Sequence, residues 1–310
     1  MKEILRKIKQ KCSFPAWNIG FVNMNEESFV HSGFKLDSIN WMRHSYKDRF
    51  FADPFILEIR EKCIDVLVEE LPFKSQKGQI VKLTINKDSY VLLERIPLLT
   101  LDTHLSYPYI FRYEGEVFVI PENGESGQLS CYKYEKNSLK FVQKIIDEPL
   151  TDATFLTYNG CYYVFSTKGD NEKLWIYYSK DPFNNYILLN SKSFLNSLNG
   201  SRPAGNFFNV GGKLYRPAQI CNKSYGEGML IKEITQLNTM TFQEKEVGRL
   251  IPDLRFDYNY GMHTLNFYKE YGVVDGLRYN LNIGNLINKI LCLLNKFIYK
   301  SIVGCIIFVC

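Results

Sequence analysis

Between residues 15 and 280, apolar positions either alternate with polar ones or run together over strand length, and no segment sustains a long 3.6-residue period. Turn-forming pairs separate these runs: Glu114-Gly115, Asn123-Gly124, Asn159-Gly160, Asp181-Pro182 and Gly211-Gly212. Asn159-Gly160 predicts a type I′ hairpin, whose two central residues both need positive φ. One unit recurs five times: a polar or charged residue, a small residue or Pro, an apolar run, a turn, and a second apolar run ending in a polar residue. The copies start at Ala52-Asp53-Pro54, Ser106-Tyr107-Pro108, Thr151-Asp152-Ala153, Ser201-Arg202-Pro203 and Met262-His263-Thr264. They lie about 45–60 residues apart, the period of a four-stranded propeller blade. Runs at 79–85, 129–135, 174–179 and 229–235 supply third strands. The predicted fold is all-β: a five-bladed β-propeller over residues 15–280. A strand around Trp17-Asn18-Ile19-Gly20-Phe21 is expected to join the last blade from outside and close the ring, leaving few open edges.

The pattern changes at residue 281. Asn285, Lys289, Lys296 and Lys300 fall on one side of a helix, with Leu286, Ile287, Ile290, Leu291, Leu294, Phe297 and Ile298 over much of the rest. The final apolar run, 302–310, is too short to span a bilayer core of about 30 Å. Residues 281–310 therefore predict an amphipathic, apolar-ended helix lying on an anionic membrane surface. Packing on the propeller or on a second subunit is the plainer alternative. Residues 1–14 form a basic extension without the continuous apolar core of a secretory signal, so the expected location is cytoplasmic and peripheral to the membrane.

A formal charge of +5 is too mild for a nucleic-acid binder, and no RNA-module signature is present. The eight cysteines include no C-x-x-C pair, so neither a metal nor another cofactor is expected; buried free thiols in a reducing compartment are. Phosphate loops and G-x-S-x-G are absent as well.

If the repeats are blades, Asp53, Tyr107, Asp152, Arg202 and His263 form one ring around the axis. Glu69, Glu122, Thr167, Gln219 and Asp275 form a second, and both converge on a central funnel. Glycosyl transfer develops positive charge on the sugar, so paired carboxylates are the expected machinery. Asp53, Asp152 and Glu122 are the catalytic candidates, with Asp53 as base, nucleophile or charge stabiliser. Glu122 or Glu69 is the candidate acid, its pKa raised by neighbouring carboxylates. Glu69, Tyr107, Arg202, Arg216, Gln219, His263 and Asp275 are candidate substrate contacts. Arg202 and Arg216 suit an anionic ligand such as a sugar phosphate. The competing readings are strand caps for the carboxylates, internal Arg–Asp salt bridges for the arginines and a satisfied core imidazole for His263.

Several segments in order carry a family resemblance: Trp17-Asn18-Ile19-Gly20-Phe21, Phe51-Ala52-Asp53-Pro54-Phe55, His104-Leu105-Ser106-Tyr107-Pro108-Tyr109 and Ile120-Pro121-Glu122. Asp152-Ala153-Thr154, Arg202-Pro203-Ala204-Gly205, Arg216-Pro217-Ala218-Gln219, Tyr225-Gly226 and Gly261-Met262-His263-Thr264 continue it. Over residues 15–280 the chain resembles the N-terminal propeller domain of plant glucosamine inositolphosphorylceramide transferases and its bacterial relatives. That family is similar in fold to the arabinanase, xylosidase and invertase hydrolases. The resemblance implies a first-blade base or nucleophile at Asp53 and a sugar-holding or acid-tuning Asp at Asp152. The hydrolases' fourth-blade acid is absent, and Arg202 and Arg216 stand there instead. Glycosyl transfer involving a phosphate-linked sugar in surface-glycan or glycolipid assembly is the first reading. A hydrolase-like enzyme and a carbohydrate-binding module serving a separate transferase chain are the alternatives.

Overall fold

The computed structural model describes residues 13–169, 171–189 and 193–280; the predicted tail at 281–310 and residues 1–12 of the basic extension lie outside the described residues. The described residues start with β1 (Phe14–Val22), a short helix α1 (Glu26–His31) and β2 (Asn40–Trp41). Asn25 caps α1, its side chain accepting from Ser28 N at 2.9 Å. The first blade is β3 (Arg49–Ile59), β4 (Cys63–Pro72), β5 (Gln79–Asn86) and β6 (Leu92–Leu99). The second is β7 (Ser106–Tyr113), β8 (Glu116–Glu122), β9 (Leu129–Glu135) and β10 (Ser138–Ile146). The third is β11 (Thr151–Tyr158), β12 (Cys161–Thr167), β13 (Lys173–Ser179) and β14 (Ile187–Leu188), with β15 (Leu195–Asn196) also paired to β13. The fourth holds β16 (Asn199–Pro203), β17 (Phe208–Val210), β18 (Lys213–Ile220), β19 (Gly228–Leu237) and β20 (Phe242–Leu250). β21 (Leu265–Tyr268) and β22 (Tyr271–Asn280) complete the fifth blade with β1 and β2, in the order β2-β1-β22-β21.

The five sheets are the predicted blades, and the N-terminal strand closes the ring. It does so as the third strand, one place inward of the expected edge, because β2 pairs on its outer side. The propeller unit runs from Trp17 to Gly276; the described residues 13–16 and 277–280 belong to a second unit. Asn159 and Gly160 both have positive φ (49° and 68°), as the type I′ turn requires.

Inner-blade strands are apolar on both faces because each blade is covered by two neighbours. Along β4, Ile64, Val66 and Val68 join a core with Ile19 and Phe21 of the fifth blade, while Leu67 between them packs with Tyr107 and Val119 of the second. The period-two alternation of strand side chains thus reads as a continuous hydrophobic run.

The innermost strands share one irregularity. Ala52 pairs with Glu69 and Phe55 with Leu67, so two residues, Asp53 and Pro54, face one. The same bulge sets Tyr107-Pro108 and Asp152-Ala153 against single partners. Proline has no N–H to lose from the ladder there. Asp53, Tyr107 and Asp152 take left-handed φ values of 51°, 41° and 49°. Each costs about 1–2 kcal/mol for a residue with a Cβ. The fourth blade departs: three residues, Gly200, Ser201 and Arg202, face Gln219, and the positive φ (97°) falls on Gly200.

Candidate functional site

The left-handed residues turn their amides out of the ladder and onto carboxylates. Asp53 N donates to Asp275 Oδ2 (3.3 Å), Tyr107 N to Asp53 Oδ2 (3.2 Å) and Asp152 N to Glu122 Oε2 (3.0 Å). Arg202 Nε donates to Asp152 Oδ2 at 2.5 Å and Gln219 Nε2 to the same oxygen at 2.7 Å. His263 stands between Asp53 (Nε2–Oδ1 3.1 Å) and Asp275 (Nδ1–Oδ2 2.9 Å). Leu265 N closes the seam between the fourth and fifth blades by donating to Ala204 O at 2.8 Å. Neighbouring blades are therefore stitched around the axis by the residues that the repeat singled out.

A cavity of about 200 Å³ opens above this seam, lined by Trp17, Phe50, Ala52, Asp53, Glu69, His104, Ser106, Glu122, Arg202, Tyr225 and His263. Of the expected site residues, the structure brings Asp53, Glu69, Glu122, Arg202 and His263 to its wall. Five others lie elsewhere. Asp152 is under the wall, held by Arg202 and Gln219. Gln219 and Asp275 are fully buried. Tyr107 was expected to meet substrate, but its ring fills the axis below the cavity. Its hydroxyl lies 2.7 Å from Thr154 Oγ1 and accepts from Gly205 N at 2.8 Å. Arg216 was expected to hold an anion; it is fully buried and grips Glu244 with two bonds, at 2.9 and 2.7 Å, and Gly200 O at 2.6 Å. The sequence shows no partner for Arg216 in its own hairpin, because Glu244 arrives from two strands away.

The wall holds protons unequally. Burial pushes the Glu122 carboxyl well above its ordinary range, the Asp152 carboxylate adds to this, and Arg202, 3.7 Å away, only partly offsets it. Burial also raises Glu69; the hydrogen bond with His104 opposes the shift and Asp53 reinforces it. His104 is raised by Glu69, whose Oε1 lies 3.2 Å from Nε2. Gly78 N donates to His104 Nδ1 at 3.0 Å, so the ring nitrogen that carries a proton is Nε2, on the Glu69 side. Burial works against charge on His263, yet Asp275 and Asp53 overcome it and raise the imidazole well above its usual value. Asp53 also accepts from Thr264 Oγ1 at 2.8 Å. Its oxygens are acceptors towards every neighbour, which fixes the carboxylate's orientation.

Asp53, His263 and Asp275 present ligand atoms within 4.8 Å of one another, the one such cluster among the described residues. The donor set fits a metal poorly, because the Asp53 and Asp275 oxygens already accept from four backbone amides and the Thr264 hydroxyl.

The sequence reading did not select His104, Trp17, Tyr225 or Phe50. Trp17 meets the His263 ring at 4.2 Å between centroids, and Arg202 lies 5.0 Å over the Tyr225 ring. Tyr225 is 44% exposed, so a ring face remains open. Tyr225 follows no strand pattern; only its place in the Tyr225-Gly226 segment marked it. Gly226, at φ 65°, sits where a Cβ would come within 2.8 Å of Trp17.

The family described as glucosamine inositolphosphorylceramide transferase 1, N-terminal, matches residues 36–259. The glucosamine inositolphosphorylceramide transferase 1 of Oryza sativa subsp. japonica is 29% identical over 220 residues, 66% of this chain and 28% of that protein. Its Arabidopsis thaliana namesake is 31% identical over 154 residues, 46% of this chain and 20% of that protein. The chain thus spans under a third of the length of these relatives. Among solved structures, a family 117 glycoside hydrolase from Zobellia galactanivorans aligns with a TM-score of 0.51 at 10% identity, covering 88% of this chain and 93% of that one, a likeness of fold alone. By the match over most of its propeller, this chain belongs to the family of glucosamine inositolphosphorylceramide transferase 1 N-terminal domains.

Proposed function

We propose that the axial cavity binds one terminal sugar and acts at its anomeric bond, as a glycosyl-transferring domain in surface-glycan or glycolipid assembly. The observation that carries this reading is the place of Glu122, a carboxyl that burial shifts towards its protonated form, in the wall of the cavity that Asp53 also lines. Glu122 gives that proton to the departing oxygen, and the oriented Asp53 carboxylate faces the positive charge developing on the sugar. Trp17 and the open face of Tyr225 offer stacking surfaces for the ring. A cavity of about 200 Å³ falls below the range of roughly 300–1,000 Å³ for drug-sized ligands, which suits a single ring. Arg216 is committed to Glu244, which leaves Arg202, anchored through Nε and Nη1 on Asp152 and Asn171, as the arginine of the pair that lines the cavity. The relatives' name brings glucosamine and a ceramide-linked acceptor into the proposal. A membrane-bound tail at 281–310 belongs to the same reading.

The test is turnover and binding on a panel of nucleotide sugars, sugar phosphates and glycolipids, read by mass spectrometry and calorimetry. Glu122→Gln and Asp53→Asn are expected to abolish product, while Glu122→Gln still binds sugar. Product formed with water as acceptor turns the assignment to hydrolysis. Saturable sugar binding with no product from the unaltered chain turns it to a binding module for a separate transferase.

A further inference from the structure

The bulged amides at the axis find acceptors on the second strand of the preceding blade. Asp275 takes Asp53 N and Glu122 takes Asp152 N. Glu69 holds the corresponding place in the first blade, paired with Ala52 as Glu122 is paired with Ser106. It takes no amide, because Tyr107 N turns to Asp53 Oδ2 instead, at 3.2 Å. Of Glu69, Glu122 and Asp275, ring closure leaves only Glu69 unused.

The surroundings of Glu69 are nevertheless built. Its Oε1 lies 3.2 Å from His104 Nε2, the protonated ring nitrogen. The imidazole is held from behind: Nδ1 accepts from Gly78 N (3.0 Å), Leu105 N donates to Gly78 O (3.0 Å) and His104 N donates to Glu125 Oε2 (2.9 Å). Glycine is required for this approach, since a Cβ on Gly78 would lie 2.8 Å from Glu69 Oε1 and 2.9 Å from His104 Cε1. Glu69 Oε2 takes no hydrogen bond from a described residue and is not among their sealed, unpaired polar atoms. It therefore keeps surface in the cavity that Glu69 and His104 both line. A carboxylate offers only acceptors, so this free oxygen calls for a hydroxyl. Glu122 lies among Asp152 and Arg202, and Glu69 among His104, Asp53 and His263. Two carboxyls in such different settings can hold different protonation states in one site.

We propose that Glu69 is the general base that takes the proton of the incoming hydroxyl, with His104 as the residue that positions it. The assignment deepens the transfer reading above and rests on it. In the step, the acceptor's O–H bond breaks and its proton goes to Glu69, while its oxygen bonds to the anomeric carbon. The bond from that carbon to the departing oxygen breaks, and Glu122 protonates that oxygen. Water then takes the proton from Glu69 and restores the one on Glu122.

The test compares two nucleophiles on the full chain with the panel of nucleotide sugars and sugar phosphates, products being read by mass spectrometry. Methanol must lose a proton to react; azide is an anion with none to lose. The unaltered chain is expected to form both the methyl glycoside and the glycosyl azide. Glu69→Gln should slow the methyl glycoside by roughly 10²–10⁴-fold and leave the glycosyl azide within about threefold. His104→Gln should slow the methanol reaction by about tenfold with azide again unaffected, a split that a merely structural loss does not produce. Thermal midpoints are compared first. Should Glu69→Gln not fold, Glu69→Asp carries the same comparison, with the charge kept and the oxygens drawn back by one methylene. Equal loss of both products in the Glu69 variant, or loss of neither, overturns the base and leaves the transfer reading standing. An unaltered chain that forms neither product overturns both.

Discussion

Arg216 separates a structural arginine from a substrate arginine, and the prediction is quantitative. Its guanidinium and the Glu244 carboxylate are 0% and 3% exposed, and the pair is bidentate. Removing one member of such a pair leaves an uncompensated buried charge, at a cost of about 3–5 kcal/mol. The two single variants should differ. Arg216→Met leaves Glu244 with Lys232 at 4.0 Å, a partial replacement partner, so it belongs at the lower end. Glu244→Met leaves Arg216 and Lys232 facing each other without an anion and belongs at the upper end. The double variant removes both buried charges, and its residual cost is about 1–3 kcal/mol, because Gly200 O and Ser201 O lose their donor. Chemical denaturation gives these values directly. Thermal midpoints should fall by roughly 6–20 °C for the single variants, at about 2–4 °C per kcal/mol. Sugar binding by whatever remains folded should be unchanged. An Arg216→Met protein with unaltered stability and lost ligand binding would refute the reasoning and return Arg216 to the site.

The raised Glu122 carboxyl makes a signed prediction about pH. In the folded state it keeps its proton above its ordinary value of 4.5, where the unfolded chain releases it, so the folded state is penalised as pH rises through that value. Glu122→Gln should therefore be more stable than the unaltered chain at pH 7, with the gain shrinking towards zero below 4.5, as followed by denaturation across pH. Tyr107→Phe should cost about 1–3 kcal/mol by denaturation, because Gly205 N–H and Thr154 Oγ1 lose a buried partner. Gly78→Ala places a Cβ 2.3 Å from Leu105 O and 2.8 Å from Glu69 Oε1, so it should both destabilise the chain and lower the His104 pKa read by NMR titration. Liposome flotation should separate the full chain from one ending near residue 281; equal flotation removes the membrane-binding tail.

The blade count and the axial position of Asp53 were legible because each copy of the repeat sets a polar or aromatic residue before a Pro or small residue at the same place. Pro54 and Pro108 announce the bulge, as residues without an N–H after a polar or aromatic one. Side-chain destinations were not legible. Tyr107 and Asp53 occupy the same repeat position and the same left-handed backbone, yet one fills the axis while the other lines the cavity. Size decides this: the phenol reaches across to Thr154 and Gly205, and a carboxylate does not. Arg216 points away because its strand position faces Glu244, a partner 28 residues later that no local spacing reveals. His104 and Tyr225 come from loops, where neither period two nor the repeat constrains position.

The seam explains why these axial polar residues are poor guides to chemistry when taken one at a time. Closing five blades leaves bulged amides at the axis that water cannot reach, and each must find an acceptor. Asp53, Glu122 and Asp275 meet that need, and Asp152 in turn anchors Arg202 and Gln219. A carboxylate in this ring is thus required by the fold before any substrate arrives. What marks a wall residue is capacity beyond the seam. Asp275 is fully buried and gives its two oxygens to three backbone amides and His263, so nothing is left for a ligand. Glu122 is 17% exposed on its side chain, accepts from Asp152 N through one oxygen and lines the cavity. The same comparison ranks Glu69 above Asp152. Substituting Asp275 should unlink the first and fifth blades and unfold the ring, whereas substituting Glu122 should leave the ring standing and silence the cavity, and that contrast is the measurable difference between a stitch and a site.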